Sequence, residues 1–500
     1  MVMDERLTWK HHIVHIETKC KKVLNLMRMI SGQHWGADKE SLMNIYKALI
    51  RSTIDYGCIV YSSACTTSIR KLERVQFKGL RIALGAIKTT PTCALLVEAE
   101  EPPIKLRFEK LSLTYWVRLM GSTNNPALSV LNNCWEYQLK SPGFGWKVHD
   151  MGEKYGIKDF RFSPALVLSK VPPWMLPVPK VDLELLKEKM EQTNERALAM
   201  YCERHLVSKY YGFVKIFTDG SKDIQNGHCG IGIFIPKFNK SYGYRLSNFL
   251  SIYTIELTAI ITALRWIEEI KPLRSVICSD SLAVLLSLES GNTVREDLVI
   301  ETRHLLLNIR NLRILVQFCW VPAHVGIKGN EMADKIAKKM LEKEHIGINI
   351  SMGKGEAKTK LKSEMLIKWQ HDWKAEHNAR FYHSNQGNVW GKRATGLNRR
   401  EEVVYSRLRL GHTCLNGTLQ IVGKSNGLCR YCQVKEDVDH VLFNCYRYSE
   451  HRRQWKEREA ENGIVNILKE EGMQRDKMKS LFIFLNNSGG GMHQRDVICQ

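Results

Sequence analysis

The sequence predicts an α/β fold over residues 206–345, a mixed five-stranded sheet with helices on both faces. A mainly helical region precedes it and a small Cys/His-containing region follows. Three observations carry this prediction. Two alternating apolar runs, Phe213–Asp219 and Ser275–Asp280, each stop on a carboxylate. A long apolar-faced helix, Tyr253–Ile270, lies between them and places Glu256 on its apolar side. A third run, Ile314–Val321, leads through a Gly-bounded loop into a helix that begins with Asn330, Glu331 and Asp334.

Along the chain, residues 1–122 read as helices, with apolar residues at three- and four-residue steps in Trp9–Arg28, Lys39–Ser52 and Ser68–Leu84. No Asp-Asp pair follows an aromatic strand there, so no polymerase metal site is legible. Residues 123–205 are a connector punctuated by Pro164, Pro172, Pro173, Pro177 and Pro179, with Asp182–Arg204 a charged helix. In the α/β region Gly220-Ser221 is expected to break the first strand, leaving Asp219 at its carboxyl end. Gly227–Pro236 and Tyr242–Asn248 read as the next two strands, Ser281–Ser290 and Glu296–Leu312 as helices. Residues 346–410 form a basic helical linker, 411–455 a Cys/His region, and 456–500 a charged, Gly/Ser-rich tail expected to be flexible.

Composition bounds the chemistry. The chain has 74 Lys+Arg against 52 Asp+Glu, a net charge of 74 − 52 = +22, which points to a polyanionic partner. The 44% hydrophobic content supports globular domains. No signal-peptide pattern precedes Asp4-Glu5-Arg6 and no apolar run reaches the roughly 20 residues of a membrane span, so an intracellular location, nucleus or cytoplasm, is expected. The 14 cysteines are scattered apart from Cys429 and Cys432, as expected of thiols in a reducing compartment.

Four carboxylates fall at equivalent places: Asp219 and Asp280 at strand ends, Glu256 and Asp334 in the first turns of helices. Brought together, they would repel and shift their pKa values upward unless cations neutralised them. All-oxygen ligands favour magnesium or manganese, and the chemistry such a site suits is two-metal phosphodiester cleavage. The motifs Thr218-Asp219-Gly220-Ser221, Glu256-Leu257-Thr258-Ala259, Ser279-Asp280-Ser281, Trp320-Val321-Pro322-Ala323-His324 and Gly329-Asn330-Glu331-Met332-Ala333-Asp334 resemble those of type-one ribonuclease H. The resemblance covers about 130 residues and implies the ribonuclease H fold, with cleavage of the RNA strand of RNA–DNA hybrids to a 3′-hydroxyl and a 5′-phosphate. It also implies metal-binding roles for Asp219, Glu256, Asp280 and Asp334 with two magnesium or manganese ions. His324 takes the role of a mobile proton carrier or product-release aid, and Asn330 and Ser221 those of substrate contacts. One departure stands out: family members often carry a basic gripping protrusion between the central helices, and here only Gly291–Glu296 separates them.

Two further stretches are candidates for binding. Residues 351–410 hold 13 Lys/Arg against 6 Asp/Glu, interleaved with Trp369, Trp373, Phe381, Tyr382 and Trp390. They read either as a phosphate-and-base grip or as an amphipathic helix with its aromatics inside. Cys429-x2-Cys432-x7-His440-x4-Cys445 supplies three thiolates and an imidazole, suited to one closed structural zinc site. It resembles the Cys/His motif that follows the ribonuclease H domain in jockey-like non-LTR retrotransposons. Leu7-Thr8-Trp9-Lys10-His11-His12-Ile13, Leu49–Gly57 and Leu72-Glu73-Arg74-Val75-Gln76 resemble the segment after the reverse-transcriptase palm of the same elements, which implies a thumb remnant at 1–122 in a truncated polyprotein. The expected function is therefore hybrid-cleaving endonuclease. The alternatives are a nucleic-acid-binding protein that turns over poorly, and a transposase- or integrase-type enzyme, which the fourth acid and the His324 loop disfavour.

Overall fold

The computed structural model describes residues 1–32, 35–122, 125–136, 144–157, 160–164, 169, 171–191, 194–291, 293–391, 396–458, 481–482 and 484–485. The chain divides into two compact units, each discontinuous in sequence: 1–113 with 140–151 and 362–500, and 114–139 with 152–361.

The second unit is built on a six-stranded sheet. Its strands are β1 (Val181–Asp182), β2 (Val214–Lys222), β3 (Cys229–Ile235), β4 (Lys240–Leu246), β5 (Arg274–Ser279) and β6 (Leu315–Trp320), in the order β1-β6-β5-β2-β3-β4. The β1–β6, β6–β5 and β5–β2 pairs are parallel, and β2–β3–β4 is an antiparallel meander. The expected count of five is corrected to six, because Val181 and Asp182 pair with Phe318 and Cys319. Asp182–Arg204 is not one helix either. After β1 come α1 (Glu184–Glu191) and α2 (Glu195–Ser208), with Asn194 capping the amides of Arg196 and Ala197.

Four helices accompany the sheet: α3 (Ile252–Ile270), α4 (Leu282–Ser290), α5 (Glu296–Asn311) and α6 (Lys328–Met340). Glycines let α6 lie close on one face of the meander. A Cβ on Gly232 would overlap the Ala333 carbonyl oxygen and come within 2.7 Å of the Ala337 nitrogen; one on Gly230 would meet the Ala337 oxygen at 2.6 Å. The other face takes α3, whose Ile255 and Glu256 stand against Gly220. Ile216, Ile233, Leu257, Ile260, Ile277 and Phe318 fill the space between sheet and helices.

The first unit is largely helical. Its core joins Ile13, Leu24, Leu72 and Leu80 to Trp369, Trp373 and Tyr382 of the basic stretch. The reading of that stretch as a base-stacking grip is thereby corrected for these three aromatics, which are buried. Three of its arginines are also internal. Arg399 donates to the carbonyls of Ile82 and Ala83 at the end of the helix Thr66–Leu84, Arg407 to that of Gly85, and Arg409 pairs with Glu98 at 3.2 Å. The tail expected to be flexible contributes Leu481, Phe482, Phe484 and Leu485 to a core with Leu408, Cys429, Leu442 and Cys445. The rest of the tail beyond Arg458 lies outside the described residues.

Gly232→Ala is expected to destabilise the second unit by about 1–3 kcal/mol, because the clash is with helix backbone that cannot swing aside. Gly355→Ala meets open space and should be neutral or slightly stabilising. Thermal unfolding of the two variants, side by side, measures the contrast.

Candidate metal centre

The β5–β2 ladder ends at the pair Thr218–Ser279. The next residue on each strand is a carboxylate, so Asp219 and Asp280 emerge side by side where parallel pairing stops. Strand β2 itself does not stop there. Contrary to the expected break, it runs through Gly220 and Ser221 to Lys222, paired with β3. Gly220 is needed for a different reason. A Cβ there would lie 2.8 Å from the Ile255 side chain and 3.1 Å from the Glu256 carboxyl carbon, so its absence lets α3 bring Glu256 over the strand.

One carboxylate oxygen each from Asp219, Glu256 and Asp280 lie within 4.8 Å of one another. Glu256 sits in the second turn of α3, not the first, and Asp334 likewise in the second turn of α6. Asp334 stands beside the trio, in hydrogen-bond reach of Asp219, and accepts from Lys338 Nζ at 2.7 Å. Asn330 is buried and donates from Nδ2 to Asp280 Oδ2 at 3.1 Å, and the Trp320 indole N–H donates to the Asp280 carbonyl at 3.0 Å. Asn330 thus orients a carboxylate through Nδ2, while its Oδ1 is buried without a hydrogen-bond partner. Ser221 is half-buried on β2 opposite Gly230, and His324 is exposed, with φ 57°, in the loop between β6 and α6.

The electrostatics of this grouping are unfavourable as it stands. Burial first, then the charge of Asp280, pushes the Asp219 carboxyl up to about 7. Burial and the neighbouring Asp219 raise Glu256 well above the usual carboxylate range. Asp280 is raised as well, chiefly by burial, with the Asn330 amide opposing. Glu256 Oε2 is buried without a hydrogen-bond partner. An orphaned carboxylate oxygen facing two further acids is a donor set that fits a hard divalent cation such as magnesium or manganese.

The second predicted cluster also assembles. Cys429 donates its amide to the Val434 carbonyl and Gln433, at φ 55°, closes the Cys-x2-Cys turn. His440 and Cys445 bracket one turn, with the Cys445 amide on the His440 carbonyl. The four ligand atoms lie within 4.8 Å of one another, and His440 Nε2 is buried without a partner. Cys445 Sγ is 3.9 Å from Cys429 Sγ and 3.7 Å from Cys432 Sγ. Those separations are too long for a disulfide and match the roughly 3.8 Å between two sulfurs on a tetrahedral zinc with Zn–S near 2.3 Å. The residues therefore fit zinc.

Of the site features, the clearance at Gly220 and the inward turn of Asn330 carry no signal in a single sequence. The Asp334–Lys338 pair does, since its spacing is that of one helical turn.

Residues 212–342 match the RNase H family model. The chain is also 30% identical over 89 residues to the "Probable RNA-directed DNA polymerase from transposon X-element" of Drosophila melanogaster, a stretch covering 17% of this chain and 9% of that protein. Among the described residues no helix is long and apolar enough to cross a membrane.

A carboxyl raised in the folded state favours folding below its unfolded pKa, and that contribution is lost as pH rises through the folded value. With divalent cations chelated, the acid cluster should therefore lower stability as pH rises from about 4 through about 7. Adding magnesium at pH 7.5 should restore it, and Glu256→Gln should flatten the pH dependence. Melting temperatures across that range, with and without magnesium, are the measurement.

Proposed function

We propose that the RNase H domain this chain carries, in a retrotransposon protein, hydrolyses the RNA strand of RNA–DNA hybrids endonucleolytically, leaving a 5′-phosphate. The observation that carries the reading is the trio Asp219, Glu256 and Asp280, the first two buried and the third half-buried, with Asp334 alongside, in a domain of this family. Asp219, Glu256, Asp280 and Asp334 would hold two magnesium or manganese ions, which supply an acidified water and charge stabilisation at the leaving oxygen. The chain's own groups do the rest. Asn330 and the Trp320 indole fix Asp280, while Lys338 holds Asp334. His324 stands exposed on the loop between β6 and α6, where its imidazole can take up or deliver a proton. The net basic charge suits a nucleic-acid substrate.

The test is purified protein with labelled hybrid, double-stranded RNA and duplex DNA in magnesium. Hybrid alone should be cut, in its RNA strand, and chelator should abolish cutting. Asp219→Asn should lower the rate by at least about 10³-fold with hybrid affinity nearly intact, since it removes a ligand and little surface. His324→Ala should cost roughly 10- to 100-fold. Hybrid binding without any cleavage would leave a binding protein in place of an enzyme.

For the second cluster the reading is one structural zinc on Cys429, Cys432, His440 and Cys445, with no open position for a reacting water. Elemental analysis of protein purified under reducing conditions should find one zinc per chain. Cys432→Ser should lose it while leaving kcat on hybrid within about twofold, because these residues lie in the other compact unit. A chain without zinc would end this part of the account.

A further inference from the structure

We propose that Lys189, on α1 ahead of the family-matched residues, is a substrate-binding residue that contacts a backbone phosphate of the nucleic acid beside the acid cluster. This rests on the hybrid-cleaving reading of that cluster.

The link between α4 and α5 spans only residues 291–295, so the domain has no basic protrusion there, and the buried Arg399, Arg407 and Arg409 are occupied elsewhere. The structure instead adds β1 and α1 to the sheet edge next to β6. Lys189 Nζ lies 5.6 Å from the ring centroid of Trp320, and the Trp320 indole N–H is bonded to the Asp280 carbonyl. One aromatic ring thus links this ammonium to the backbone of Asp280, whose side chain belongs to the acid cluster. Lys189 is exposed and, among the described residues, has no ion pair or hydrogen bond; its cation–π contact is with the Trp320 ring. An ammonium left over an aromatic face beside a phosphodiester-cleaving site is free to meet a phosphate.

What holds α1 there is a saturated hub. Asp182 of β1 accepts from Tyr210 at 2.7 Å and from Lys209 at 3.1 Å, its Oδ2 is 2.9 Å from His205 Nε2, and its Oδ1 takes the Glu184 amide that starts α1. Although burial acts to raise it, the bonds from His205 and Tyr210 hold the Asp182 carboxyl at about 2. With Cys319 also near, the three ligand types invite a metal, but both oxygens of Asp182 already have donors, so the hub is an anchor. Glu184 is drawn onto Lys209, away from Lys189.

The test compares Lys189→Glu, Lys189→Arg and, on the same helix, Lys187→Glu in the full chain. At low salt Lys189→Glu should raise KM for hybrid about five- to tenfold with kcat within twofold, and reduce the slope of log affinity against log salt by about one. Lys189→Arg should match the wild type. Unchanged KM in Lys189→Glu, or an equal effect from Lys187→Glu, would overturn the proposal while leaving the hydrolase reading intact. Hybrid affinity is also measured in the Asp219→Asn background. There a loss confined to Lys189→Glu supports the contact even if the wild type never cleaves, and no loss overturns it.

Discussion

Three carboxylates in one spot, two of them buried and one half-buried, repel each other and have lost much of their water. Everything around them is arranged to hold them there regardless. The parallel ladder ends so that Asp219 and Asp280 emerge together. Gly220 gives up its side chain so that Glu256 can reach across, and Gly230 and Gly232 give up theirs so that α6 can bring Asp334 close. An isolated protein gains nothing from such an arrangement, since each acid would be better solvated alone. The packing of some thirty buried apolar side chains, each worth on the order of 1.5–3 kcal/mol when fully buried, offsets the cost. The arrangement makes physical sense as a preformed cation site, in which desolvation and repulsion both become attraction once charge is neutralised.

Much of this was legible in the sequence, and the parts that were not share a cause. Strand period placed Asp219 and Asp280 at the ends of apolar runs, and helical period placed Glu256 on a buried face, because burial imposes those periods on composition. The exact strand end was missed at Gly220-Ser221. Turn chemistry argued for a break, but pairing with β3 carried the strand on to Lys222. Local propensity lost to a tertiary ladder. Val181-Asp182 failed the same way: two residues carry no period, and only pairing with Phe318 and Cys319 makes them a strand. The direction of the Asn330 side chain likewise depends on where Asp280 stands, fifty residues away.

The basic stretch after the sheet shows how composition misleads. Its aromatics and arginines looked like a nucleic-acid surface, yet Trp369, Trp373 and Tyr382 pack into a helical core and Arg399 caps a helix end from the far side of the sequence. A guanidinium bonded to two carbonyls and a guanidinium bound to a phosphate are alike in sequence. They differ only in what faces them. Lys189 differs from them in the same respect: among the described residues it makes no hydrogen bond or ion pair.

The most direct measurement of the central claim is the proton balance of cation binding. Magnesium is added to weakly buffered protein at pH 6.5 and released protons are counted, with Glu256→Gln as control. If the trio Asp219, Glu256 and Asp280 is a cation site with raised pKa values, binding should release about one proton or more, and fewer from Glu256→Gln. Saturable magnesium binding with no proton release, or release unchanged in Glu256→Gln, would show that the cation binds elsewhere and would contradict the account.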